Sequence, residues 1–172
     1  MILSRIFQRA EQIPAVPLNT ATISRVLGVG GESSAGVAVT PDTALGYPAV
    51  WRGVNIRAGT VGRLPLNVMK RSGVGKEIDE QHPAQRLLRE QPNSEQSAKA
   101  FKSLLESHAI LAGGGFALIV RDEFGQPTEL IPLDPADVMP FRENGRLGYS
   151  LVSGGQMIVE LPDNILHVKG LS

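Results

Sequence analysis

The chain has 172 residues, with 17 basic and 17 acidic side chains and no cysteine. That length supports one domain, alone or with an arm, and a unit of this size buries about 70% of the surface of its extended chain without needing a staple. Zero cysteines exclude disulfides and thiolate metal sites and fit a reducing compartment, and no apolar run approaches the roughly 20 residues that span a bilayer.

The charge balance hides an asymmetry. Up to Ser72 there are 8 basic and 3 acidic residues, and from Gly73 onward 9 basic and 14 acidic, so the two stretches carry +5 and −5. The basic stretch is well spaced (Arg5, Arg9, Arg25) and reads as a solvated arm more than as a nucleic-acid footprint. Met1-Ile2-Leu3-Ser4-Arg5-Ile6-Phe7 meets a charge too early for a secretory apolar core, so the expectation is a soluble chain not exported by that route. Met1 to Gln12 forms at most a short amphipathic helix that needs a partner surface. Ile13 to Val39, with Pro14, Pro17 and five residues of Gly or Ser between Gly30 and Gly36, reads as a mobile linker, giving a flexible arm over residues 1–39.

Order is expected from Thr40. Thr40-Pro41-Asp42 starts a short helix, and Pro48 starts a second with Val50, Val54, Ala58 and Val61 as its apolar stripe. Gly53, Gly59 and Gly62 weaken this helix and are expected to serve close packing. Leu66 to Met69 and Lys76 to Ile78 read as strands around Ser72-Gly73-Val74-Gly75. His82-Pro83 opens a helix with Leu87 and Leu88, closed by Gln91-Pro92-Asn93. Ser97 to Ala112 is the strongest helix, with Phe101, Leu104, Leu105, His108, Leu111 and Ala112 on one face and Gly113-Gly114-Gly115 as its stop. Strands follow over 116–120, 128–133, 138–142, 147–152, 157–161 and 165–168, with Asn144-Gly145 as the clearest hairpin signal. Helices first and a largely antiparallel β meander after define an α+β fold.

No constellation of catalytic residues emerges. His82, His108 and His167 share no metal-ligand spacing and read as structural histidines. Gly28-Val29-Gly30-Gly31 lacks the third glycine of a dinucleotide fingerprint, and the Gly113 run follows a helix where a phosphate cradle precedes one. No serine in Gly31 to Gly36 has glycine two places away on both sides, as a nucleophile elbow requires. Asp122, Glu123, Asp134, Asp137 and Asp163 all fall at turns, where carboxylates stabilise bends. Arg52, Arg57, Arg63, Lys70 and Arg71 are locally basic without interleaved aromatics, so they read as a solvated face. No catalytic, cofactor-binding or metal-binding residue is singled out.

Eight short phrases carry a resemblance. In order they are Val39-Thr40-Pro41-Asp42-Thr43-Ala44-Leu45; Ala49-Val50-Trp51 closing on Leu64-Pro65-Leu66; His82-Pro83 with Leu87-Leu88; Gln91-Pro92-Asn93; Ala100-Phe101; Gly115-Phe116-Ala117 with Val120-Arg121-Asp122; Leu130-Ile131-Pro132-Leu133-Asp134-Pro135; and Ile165-Leu166-His167-Val168-Lys169-Gly170-Leu171-Ser172. Together they resemble the phage portal family typified by the HK97-type, lambda-like siphophage portals. Gly113-Gly114-Gly115-Phe116 departs from the Gly-Asn-Ala of many relatives, and Gly46-Tyr47-Pro48 is unusual at the second helix start. The resemblance covers an N-terminal, wing-like region over residues 40–172. The stem, clip and crown of the family are absent, as in a truncated prophage gene, a split gene or a partial piece.

What the resemblance implies is a virion subunit that performs no covalent chemistry and needs no cofactor. It would pack in a ring, a dodecamer in the family, at one capsid vertex, and be present in the host cytoplasm during assembly. Duplex DNA would pass through without sequence-specific binding, and terminase, the major capsid protein and head-completion proteins would be its partners, with no membrane involved. Three alternatives stand beside it: a small adaptor docking through Met1 to Gln12, an inactive prophage remnant, and a hydrolase with an unrecognised site.

Overall fold

A computed structural model describes residues 40–170. The amphipathic segment Met1 to Gln12 and the linker Ile13 to Val39 lie outside the described residues. Helices α1 (Pro41–Leu45) and α2 (Pro48–Arg63) each begin on a proline, whose missing N–H belongs to the first turn, where no intrahelical acceptor exists. α2 stops at Leu64, whose backbone is extended ahead of Pro65. Its buried stripe is Val54, Ala58 and Gly62, one residue every four. The expected stripe through Val50 and Val61 is corrected: Val50 is exposed and Val61 half-buried. The expectation of close packing holds at Gly62 and is corrected at Gly53 and Gly59. A Cβ on Gly53 or Gly59 meets nothing, whereas on Gly62 it collides with Ser103 Oγ and comes within 2.8 Å of Lys99 O.

Strands β1 (Met69–Ser72) and β2 (Gly75–Ile78) form an exposed antiparallel hairpin. Helix α3 (Pro83–Arg89) is capped by His82, whose Nδ1 accepts from Ala84 N–H at 3.1 Å. Its Gln85 is buried and accepts from Val68 N–H at 2.7 Å while donating to Asn67 Oδ1 at 3.1 Å, which ties the hairpin approach to the helix. Helix α4 (Ala98–Ala112) is capped by Ser97 Oγ and ends at Gly113 with φ 78°, a left-handed conformation that glycine adopts freely. It buries Ala98, Phe101, Leu105 and Ala109, while Leu104, His108 and Leu111 of the expected face are half-buried and Ala112 is exposed. The reason is that α4 is covered twice, by α2 on one side and by strands on the other.

Strands β3 (Gly114–Arg121), β4 (Pro127–Leu133) and β8 (Ile165–Lys169) make an antiparallel sheet in the order β4-β3-β8. Strands β5 (Val138–Glu143), β6 (Arg146–Ser153) and β7 (Gln156–Glu160) make a second, ordered as they follow in the chain. The fold is α+β, with an antiparallel meander whose last strand returns to the first sheet beside β3. One-turn 3-10 helices at Pro135–Asp137 and Pro162–Asn164 carry the chain out to the second sheet and back. Arg121 ties the β3–β4 turn to the return end of this route, donating to Gly125 O at 3.0 Å and Asp163 O at 2.9 Å.

Alternation along β3 divides the interior into two cores. Ala117 packs with Leu87, Phe101, Leu105 and Leu130 under α3 and α4. Phe116 packs with Val138, Tyr149, Leu151 and Ile165 against the second sheet. The layers therefore run α2, α4, first sheet, second sheet. Glycine sits at the closest approaches: a Cβ on Gly115 would strike Leu105 O, and one on Gly170 would strike Ala109 O. Of the three glycines expected to stop α4, only Gly113 does so, since Gly114 and Gly115 are already strand.

Candidate assembly surface

The three histidines occupy separate places. His82 is the α3 cap. His167 Nδ1 lies 3.0 Å from the Tyr149 hydroxyl, and its ring lies 4.4 Å, centroid to centroid, from that of Phe116. Burial lowers the basicity of His167, with the Lys169 charge adding to the effect, and burial raises the Tyr149 phenol. His108 Nδ1 is buried without a hydrogen-bond partner, and burial lowers its pKa while the charge of Asp134 opposes that shift. The carboxylates lie at bends. Asp122 accepts from Phe124 and Gln126 N–H, Asp134 accepts from Ala136 N–H, and Asp137 and Asp163 sit in the 3-10 helices. Glu123 is exposed in the β3–β4 turn. Arg57 pairs with Glu106 at 2.6 Å and Lys70 with Glu77 at 3.4 Å, while Arg52, Arg63 and Arg71 are exposed. Among the described residues no three His, Asp or Glu side chains gather in metal-holding proximity. The glycine-rich stretch from Gly28 to Gly36 lies outside the described residues.

Two features escaped the sequence. The first is the clamp at Pro92-Asn93: Leu130 N–H donates to Pro92 O at 2.8 Å, and Asn93 Nδ2 donates to Leu130 O at 2.9 Å. Asn93 thus continues the β4 edge with a side-chain amide in place of a backbone one. The second is the outer face of the second sheet. Cross-strand partners share a face, so with Tyr149 and Leu151 turned into the core, their neighbours Ser150 and Val152 point outward. The register sets Met139 and Val159 beside Ser150, Met157 beside Val152, and Phe141 over Gly148. None of these is charged, but at the hairpin end the same face carries Glu143 beside Arg146; Met157 and Val159 are 64% and 60% exposed. A strand over 157–161 was legible, but Met157-Ile158-Val159 is apolar throughout, so which face met the core depended on the register with β6.

A second apolar patch lies on α2. Gly62 lies against Lys99 and Ser103, and Arg57 against Glu106, so α2 runs antiparallel to α4. Trp51 and Tyr47 continue the Val54–Ala58 stripe toward the last turn of α4, where cover runs out and they are 57% and 62% exposed. A Cβ-free contact at Gly62 brings the helices together at the other end.

Known proteins are similar to this chain in sequence or in fold. Protein BeeE of Escherichia coli (strain K12) is 27% identical over 139 residues, which are 81% of this chain and 87% of that protein. The portal protein of Enterobacteria phage HK97 is 26% identical over 145 residues, covering 83% of this chain and 33% of that protein. Among solved structures, a chain from the neck of an empty gene transfer agent particle superposes with a TM-score of 0.63 at 25% identity, over 91% of this chain and 38% of that one. The crystal structure of a HK97 family phage portal protein from Corynebacterium diphtheriae gives 0.54 at 19% identity, over 77% of this chain and 41% of that one. This chain therefore spans a third of the HK97 protein's length and less than half of either solved chain, but most of BeeE. The family described as phage portal protein matches residues 48–172, from the proline that opens α2 through both sheets, and the chain belongs to that family.

Proposed function

We propose that residues 40–172 are the wing-like unit of a portal subunit, one of a ring of identical copies at a capsid vertex. DNA enters the head through such a ring during packaging and leaves through it at ejection, and terminase and head-completion proteins dock on it. The subunit is structural and is present in the host cytoplasm before it enters the virion. The observation that carries this reading is the layered body itself: four packed layers whose described carboxylates serve turns, a cap and surface ion pairs, with apolar surface left on the outermost sheet. Such a body is built to be packed against, and a ring requires each copy to present two different faces. The near balance of charge suits a conduit, because each phosphate held by Lys or Arg would brake the moving duplex. The test is the mass of the purified chain by native mass spectrometry and sedimentation. A closed multimer is expected, and a single-copy mass at every concentration would overturn assembly by this unit.

A further inference from the structure

We infer that the acidic β3–β4 turn, tipped by Phe124, docks on the outward face of helix α2 in a second copy of this chain. The inference rests on the ring reading above and names the two surfaces that meet. Helix geometry defines the receiving face. At about 100° per residue, Val54, Ala58 and Gly62 turn toward α4, and Arg52, Ile56 and Arg63 fall on the opposite side. All three are exposed, Ile56 by 59%. Arg52 and Arg63 stand about 16 Å apart along the axis, with Ile56 between them. A Cβ on Gly53 or Gly59 meets nothing, so the surface on either side of Ile56 is low. Arg57, on the flank, is paired with Glu106, whereas neither Arg52 nor Arg63 has an ion-pair partner among the described residues. The only acid in residues 40–72 is Asp42, which leaves α2 itself without one.

Charge at the contact itself selects the occupant. The hairpin turns of the described residues differ in the charges beside them. The β1–β2 turn lies between Lys70-Arg71 and Lys76-Glu77, and the β5–β6 turn among Arg142, Glu143 and Arg146, so both are more basic than acidic. The β6–β7 turn has no charged residue from Val152 to Gln156. The β3–β4 turn alone is acidic: it holds Arg121, Asp122 and Glu123, with Glu129 opposite Val120 and Asp163 bound through its carbonyl by Arg121. It also projects the most exposed aromatic of the described residues, Phe124 at 84%. Asp122 shapes the tip by accepting from Phe124 and Gln126 N–H, and Glu123 is exposed beside it. A projecting ring set between carboxylates thus meets a low surface set between guanidiniums, with Ile56 beneath the ring; aromatic anchors of this kind are favoured at interfaces. Within one copy the two surfaces cannot meet, because α4 lies between α2 and the first sheet and the receiving face points away from α4. Two copies meet through unlike surfaces, and repetition of such a contact closes a ring or continues as a filament. Like surfaces would set arginine against arginine or carboxylate against carboxylate.

Two charge variants of the full chain test the pairing. Glu123→Lys sets a basic tip against the basic face, and Arg52→Glu combined with Arg63→Glu sets an acidic face against the acidic tip. Each alone should show the mass of a single copy by native mass spectrometry while its circular dichroism stays that of the parent. Mixed in equal amounts they should recover multimers, because each then supplies the charge that the other lacks. A mixture that stays at the single-copy mass overturns the inference. Because the chain has no native cysteine, single cysteines report the contact on a clean background. Thr60→Cys, one turn beyond Ile56, and Gln126→Cys, beside Phe124, both at exposed positions, should give a cross-linked dimer when mixed and treated with a short bismaleimide. Neither should link to itself, and self-linking of either shows that like surfaces meet and overturns the inference. Multimers that persist in both charge variants, without the Thr60–Gln126 link, overturn this contact and leave the ring reading standing. A single-copy mass for the parent chain at every concentration overturns both.

Discussion

At the scale of single residues, the three glycines of α2 separate cost from use. Gly53 and Gly59 face open space, so replacing either with alanine should stabilise the helix by about 0.5–1 kcal/mol, seen as a higher urea midpoint with an unchanged slope. Gly62→Ala places a methyl on Ser103 Oγ and the Lys99 carbonyl and should cost about 1–3 kcal/mol by the same measurement. The same sequence signal, a glycine within a helix, thus has opposite consequences a few residues apart. Nothing local distinguishes them, because the difference is the distance to α4. The histidines make a second residue-level prediction. His108 and His167 both hold folded-state pKa values below the ordinary 6.5, chiefly through burial. The unfolded chain therefore binds more protons as pH falls through 6.5, so stability is full above that value and declines as the medium acidifies. His167→Gln should flatten the dependence of the urea midpoint on pH between about pH 5 and pH 8. A slope equal to that of the parent would show that His167 does not contribute.

At the scale of elements, local chemistry was legible and partner choice was not. Proline at the first position of α1, α2 and α3, Ser97 before α4 and Gly113 after it mark boundaries that the structure reproduces within a residue or two. The Asn144-Gly145 turn was equally legible, and both residues have positive φ, at 51° and 78°. Asn144→Ala should cost about 1 kcal/mol, since alanine loses the tolerance for that conformation that asparagine's short polar side chain provides. Chemical denaturation measures it, and a neutral result would mean that the turn changes type. What the sequence concealed is non-local. The return of β8 to β3, the turn of the α2 stripe from Val50 and Val61 to Gly62, and the double cover of α4 all depend on which layer lies beside which. Nothing local marks Gln85 in the sequence, and it is buried with its amide bonded to both Val68 and Asn67. The same limit hid the outer face of the second sheet, whose apolar residues became one face only when the β5-β6-β7 register placed them side by side.

At the scale of the whole molecule, the balanced charge predicts weak, salt-labile attraction to duplex DNA. Fluorescence anisotropy with a labelled duplex should show binding that disappears as salt approaches physiological strength, with a shallow logarithmic slope. Tight, salt-resistant binding would contradict a conduit wall. The last consequence comes from the glycines that admit α4. Gly62, Gly115 and Gly170 bring the backbones around them against the carbonyls of Lys99, Leu105 and Ala109, spread along nearly the whole helix. α4 has no frayed half from which to open in steps, because releasing any turn requires α2 or the first sheet to move away. Its amide protons should therefore exchange with deuterium only when the entire body comes apart, whereas those of the exposed β1–β2 hairpin should exchange early.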